Sequence, residues 1–139
     1  MKHTIKSLLA MGIAAAWFVC NPASTVAQSI ESMPPVVVKT IPESGTNNVA
    51  PGEVEIRVTF SKKMVDGSWS WSDAWVNSSP EVIGKPRYEA DHKTCVLKVK
   101  LEPNKTYGYW INSPQFHGFA DAEGHASIPY LLVFKTRKE

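Results

Sequence analysis

The stretch from Thr94 to Asn112, TCVLKVKLEPNKTYGYWIN, limits the fold more than any other part of the chain. Cys95, Leu97, Val99 and Leu101 alternate with Lys98 and Lys100. That period of two marks a strand with one dry face and one wet face. Glu102-Pro103-Asn104-Lys105 then turns the chain, and Tyr107, Tyr109 and Ile111 resume the alternation. A Leu-x-Pro step before a Tyr at the mouth of the next strand predicts a pinned β-sandwich corner. The ring is expected in the core, with its hydroxyl bonded to nearby backbone. Leu101, Pro103 and Tyr107 are therefore read as structural.

The rest of the chain is punctuated in the same way. Val36 to Ile41 is β-branched and lies between Pro35 and Pro42, which predicts an edge strand. Val54, Ile56, Val58 and Phe60 alternate with Glu55, Arg57 and Thr59. Ser68 to Ser72 alternates again and puts Trp69 and Trp71 on one face, expected to be core. The segment 73–84 reads as either a short strand or loop, and 85–89 as a strand. Asp121 and Gly124 stand where a type I turn prefers them. Tyr130, Leu132 and Phe134 share one side of a closing strand. Past residue 27 no apolar stripe recurs at helical spacing. About seven short strands with turn signals between them predict an all-β chain folded as a sandwich of two antiparallel sheets.

The first 27 residues differ in kind. Lys2 and Lys6 precede an apolar run from Leu8 to Val19, and small residues follow at 24–27. This is the layout of a signal peptide over residues 1–27, cut after Ala27. The run is too short for a stable membrane span. An uncleaved anchor and a lipid-modified Cys20 are the alternatives; Phe18 and Val19 suit lipoprotein processing poorly. Residues 28–33 are expected as a flexible lead-in and 34–137 as a single domain. Processing leaves 112 residues with thirteen basic and thirteen acidic side chains. No net field remains to draw nucleic acid or an anionic membrane. Only Cys95 survives, so burial alone must hold the domain in an oxidising compartment. Its inward position predicts an inert thiol.

These elements, taken in order, resemble the bacterial Ig-like domain of the SbsA type, first named from surface-layer proteins. The resemblance rests on Phe60-Ser61 with Met64, on the Leu101, Pro103, Tyr107 corner, on the Asp121–Gly124 turn, and on Phe134 with Thr136 in the last strand. It implies an Ig-like, fibronectin-III-like sandwich serving as a spacer or interaction module in exported bacterial proteins. It carries over no catalytic residue and no cofactor. The GSWSW segment at 67–71 is richer in Trp than the family pattern.

The inventory for chemistry is thin. His117, Asp121 and His125 are spaced four apart, but in a loop and turn, where that spacing does not line up ligands. Asp121 is better explained as bonding its own turn backbone. Loop carboxylates leave calcium open, and no metal site is assigned. Asp66, Asp73, Glu81, Glu89 and Asp91 are scattered, with no nucleophile motif or phosphate loop among them. The chain is therefore not expected to be an enzyme. The aromatic residues carry what binding signal there is. Alternation puts Trp110 on the outer face of its sheet. There it either stacks on a partner or is covered by a crossing loop near Phe116–Phe119. The expected function is an exported, non-catalytic module, periplasmic, cell-surface or secreted. It would work by contact with an envelope or secreted protein. The alternative is glycan binding through Trp110, Trp69 and Trp71.

Overall fold

A computed structural model describes residue 24 and residues 26–139. The signal peptide expected over residues 1–27, with its alternatives of an uncleaved anchor and a lipid-modified Cys20, therefore lies almost wholly outside the described residues. Among the described residues eight strands form two antiparallel sheets. The larger sheet holds β1 (Val37–Ile41), β2 (Gly52–Phe60) and β6 (Thr94–Leu101), with β4 (Glu81–Val82) and β5 (Arg87–Tyr88) both paired to β6. The smaller sheet runs β3 (Trp71–Asp73), β7 (Thr106–Ile111), β8 (Tyr130–Lys135). The count exceeds seven because the weakly patterned 73–89 segment supplies two strands of two residues each.

The alternation read from the sequence is the register of the core. Ile56 lies opposite Leu97 and Val58 opposite Cys95. On the facing sheet Tyr107 lies opposite Phe134, Tyr109 opposite Leu132, and Ile111 between Trp71 and Tyr130. All but Trp71 and Tyr130 are buried, and those two pack against the cluster. Cys95 is a free, buried thiol, and burial pushes its pKa up to about 12. A thiol held protonated in this way is a poor nucleophile.

Phe60, Phe119 and Trp71 join the sheets as an aromatic stack. Phe60 and Phe119 are 5.1 Å apart between centroids, and Trp71 meets Phe119 edge-on at 5.6 Å. Phe119 reaches the core because Gly118 passes against the backbone of Trp69. A Cβ at Gly118 would lie 2.2 Å from the Trp69 carbonyl oxygen. Gly118→Ala is expected to cost about 1–3 kcal/mol, since backbone cannot yield as a side-chain tip can. A melting midpoint equal to wild type would remove that close approach from the fold.

At the turn between β6 and β7, the Tyr107 hydroxyl accepts the Glu102 N–H at 2.7 Å. Tyr107 is fully buried, Leu101 is buried, and Pro103 is exposed on the turn. The buried Thr136 closes the same end. Its hydroxyl donates to the Glu102 carbonyl at 2.7 Å and accepts the Lys105 N–H at 2.9 Å. Tyr107→Phe leaves the Glu102 N–H without that acceptor, with an expected loss of about 1–2 kcal/mol in chemical denaturation.

Two polar residues hold the loops. Asn112 is buried in the left-handed region at φ 53°. Its amide donates to the carbonyls of Phe119 and Ser127, and its Oδ1 accepts the Phe119 N–H. Lys62 ties the lead-in down. Its ammonium donates to the carbonyls of Glu31 at 2.9 Å and Met33 at 3.0 Å and pairs with Asp121 Oδ2 at 2.5 Å. Within residues 28–33, the expected lead-in, Ser29 and Ser32 make reciprocal hydrogen bonds across a turn.

Candidate functional site

The two outer faces of the sandwich differ in chemistry. On the larger sheet Glu53, Glu55 and Arg57 stand opposite Lys100, Lys98 and Val96. Lys98 pairs with Glu53 at 2.7 Å, Arg57 with Glu55 at 2.7 Å and with Glu89, and Arg87 with Glu55 at 2.8 Å. The Arg57 hydrogen bond holds the Glu55 carboxyl below its ordinary range. Each exposed pair contributes little stability, but together they balance the charges of the six residues they join.

The outer face of the smaller sheet carries aromatic and aliphatic groups. Tyr107, Tyr109 and Ile111 face in, so Gly108 and Trp110 face out. Trp75 lies over Gly108, where a Cβ would come within 2.3 Å of its indole. Trp75 is 45% exposed and Phe116 56% exposed. Trp110 is half-buried between its cross-strand neighbours Ser72 and Leu131. A groove of about 320 Å3 runs beside it, lined by Ser72, Asp73, Ser113, Gln115 and Phe116. The crossing loop expected over Trp110 is thus split. Phe116 flanks the indole in the groove, while Phe119 dives into the core.

Trp69 and Trp71 take no part in that face. Trp71 turns inward and meets Tyr109 edge-on at 5.3 Å. Trp69 crosses toward the larger sheet and packs near Tyr88 at 6.5 Å, whose hydroxyl donates to the Ser68 carbonyl. Between β3 and the short strands of the larger sheet the sandwich stays open. A cleft of about 480 Å3 lies there, walled by Trp69, Trp71, Tyr109, Leu97, Val82 and Pro86. Asp73, bonded by the Ser79 hydroxyl, stands at this cleft and at the outer groove alike. The buried Tyr109 hydroxyl and Trp71 Nε1 have no hydrogen-bond partner among the described residues. Such orphans cost about 1–3 kcal/mol each. They mark this side as an unfinished part of the interior. The sequence places Trp69 and Trp71 on one face; it does not show that the facing strands stop short of covering them.

His117, Asp121 and His125, spaced four apart in the sequence, come together only in part. Asp121, Glu123 and His125 bring ligand atoms within 4.8 Å of one another. His117 is exposed and stands apart from that group. Asp121 Oδ1 accepts the N–H of Glu123 and of His125, and Oδ2 meets Lys62 and His125 Nδ1. The Gly124 N–H bonds the Asp121 carbonyl, closing the turn. Burial pushes the Asp121 pKa up, but the Lys62 ammonium and the turn's N–H groups outweigh it and hold the pKa at about 2. The place a cation would take beside this carboxylate is filled by the Lys62 ammonium. The arrangement serves to fasten a turn to the lead-in.

A family model described as bacterial Ig-like domain matches residues 31–136, and the chain belongs to that family. Domains of this kind are generally non-catalytic structural modules. Among solved structures, the S-layer protein SbsC is similar, with a TM-score of 0.51 and 14% identity over 77% of this chain and 14% of that chain. At that identity the likeness shows the fold alone, and this chain spans only a small part of the SbsC length. No curated protein matches. The all-β sandwich and the family resemblance expected from the sequence both stand on these findings.

Proposed function

We propose that the protein is exported and acts as a non-catalytic Ig-like module by contact with another envelope or secreted protein, through the side of the molecule that carries the smaller sheet. The observation that supports this most is the contrast between the outer faces. One presents Glu53, Glu55, Arg57, Arg87 and Lys98 paired among themselves and with Glu89; the other presents Trp75, Trp110, Phe116 and Leu131. Partly exposed aromatic anchors are what protein interfaces use, whereas internally neutralised charge grids offer a partner little. A second reading, glycan binding, draws on the groove beside Trp110, where an indole stands near a carboxylate and the Gln115 amide. An indole offers a flat apolar face for a sugar ring, with the polar groups reading its hydroxyls.

Site-specific photo-crosslinking in the living envelope tests the choice. A photoreactive residue at position 116 or 131 is expected to give one discrete protein adduct, and at position 98 or 87 none. Trp110→Ala should weaken the adduct while the protein still folds, as its far-UV circular dichroism would show, because the half-buried indole lies outside the core between the sheets. Adducts from 98 and 87 alone would reverse the assignment of the working face. Saturable binding of cell-wall saccharides lost in Trp110→Ala, with no protein adduct, would favour the second reading.

A further inference from the structure

Strand β3 is one edge of the smaller sheet. Its bonds to β7 are flanked by Asn112 N–H to the Ser70 carbonyl at 3.2 Å and Ala74 N–H to the Gly108 carbonyl at 3.4 Å. Antiparallel ladders bond through alternate residues. Ser70, Ser72 and Ala74 therefore face β7, and the N–H and C=O groups of Trp71 and Asp73 face away from it. These four groups find no partner among the described residues. The side chains of the same two residues point inward, opposite Ile111 and Tyr109, and line the cleft between the sheets. Asp73 is exposed and pairs with no cation among the described residues.

We propose that the β3 edge and this cleft together receive an extended segment of a partner protein as an added strand. One apolar side chain of that segment seats among Trp69, Trp71 and Leu97, and a Lys or Arg two residues away meets Asp73. The inference rests on the protein-contact reading above and names its site and mode. A row of free N–H and C=O groups is complementary to another peptide backbone. A period of two then sends every second residue of the incoming strand into the cleft. The inward carboxylate does the selecting. It disfavours an all-apolar strand, which is the usual route to edge aggregation, and admits one that carries a cation. The opposite face of the added strand runs beside the Trp110–Phe116 groove, so one segment touches both features of this side. A sugar in the cleft would use the indoles and Asp73 but leave the four backbone groups unpaired.

The test uses the processed protein and a phage library of random dodecapeptides, with counter-selection on Asp73→Pro. That variant removes one outward N–H and leaves the Ser72 ladder bonds in place. Enriched peptides are expected to carry a basic residue two positions from an apolar one. A synthetic enriched peptide should slow hydrogen exchange at the Trp71 and Asp73 amides. N-methylation of its alternate amides should weaken it about tenfold or more, as should Asp73→Asn in the protein. These two measurements stand even if Asp73→Pro does not fold. The proposal is overturned by a library without enrichment, by binding indifferent to N-methylation, or by exchange protection confined to the Trp110–Phe116 groove. It is also overturned if chitotriose or cellotriose protects the Trp71 and Asp73 amides in place of the peptides. A discrete adduct at position 116 alongside any of these outcomes would leave the contact reading intact and remove only the edge.

Discussion

Asn112→Ala is expected to destabilise the protein by about 3–5 kcal/mol, the largest loss from a single change. Asn112 is fully buried and makes three hydrogen bonds of 2.9–3.0 Å to backbone groups of Phe119 and Ser127. Alanine leaves the Phe119 N–H and the Ser127 carbonyl in the dry interior without partners, each at a cost of about 1–3 kcal/mol, while the Phe119 carbonyl keeps the Ser127 N–H at 2.8 Å. It also places a Cβ-bearing residue without a local hydrogen bond at φ 53°, a region where Asn and Gly are favoured. Asn112→Gly separates the two contributions. It relieves the backbone and still loses the bonds, so it should lie between wild type and alanine. Urea unfolding measures both, with the slope unchanged if the native state keeps its compactness. An alanine variant within about 1 kcal/mol of wild type would mean that water or a shifted loop takes over all three bonds.

Asp121→Asn is expected to cost about 3 kcal/mol or somewhat more, because it strands a cation. The Asp121 carboxylate is fully buried and the Lys62 side chain is only 12% exposed. Removing one partner of a buried pair costs far more than the pair itself contributes. The double change Lys62→Met with Asp121→Asn should therefore recover part of the loss. The pH dependence has a definite sign. The folded carboxyl titrates at about 2, below its ordinary value of 3.8. A depressed folded pKa stabilises above the unfolded value and is lost as pH falls through the folded one. Stability should thus decline between about pH 4 and pH 2, by about 2 kcal/mol from this group, and that decline should be shallower in Asp121→Asn. Equal slopes in the two proteins would show that other carboxylates carry the acid transition.

Residues whose placement follows from a period of two are legible in the sequence. Ile56, Val58, Leu97, Val99, Tyr109 and Phe134 all face inward where alternation puts them. Asp121 and Gly124 were legible too, because a type I turn has local rules. Lys62 was not. Its partners are carbonyls thirty residues upstream and a carboxylate nearly sixty downstream, and a lysine next to another lysine reads as solvated surface. Asn112 was hidden for the same reason, since a lone amide has no pattern to belong to. The candidate site was half legible. Alternation gave the outward aim of Trp110, but not that Trp75 would lie over Gly108 to enlarge the same face. Trp69 and Trp71 were seen as a pair, while the cleft beside them depends on how little of 73–89 forms strand.

Hydrogen-exchange footprinting of the protein alone and in complex with the crosslinked partner would decide which side of the sandwich works. Slowed exchange at Trp71, Asp73 and the 110–116 segment, with β2 and the outward residues of β6 unchanged, is the expected result. Protection over Glu53 to Arg57 and Lys98 to Lys100, with the smaller sheet unaffected, would contradict it.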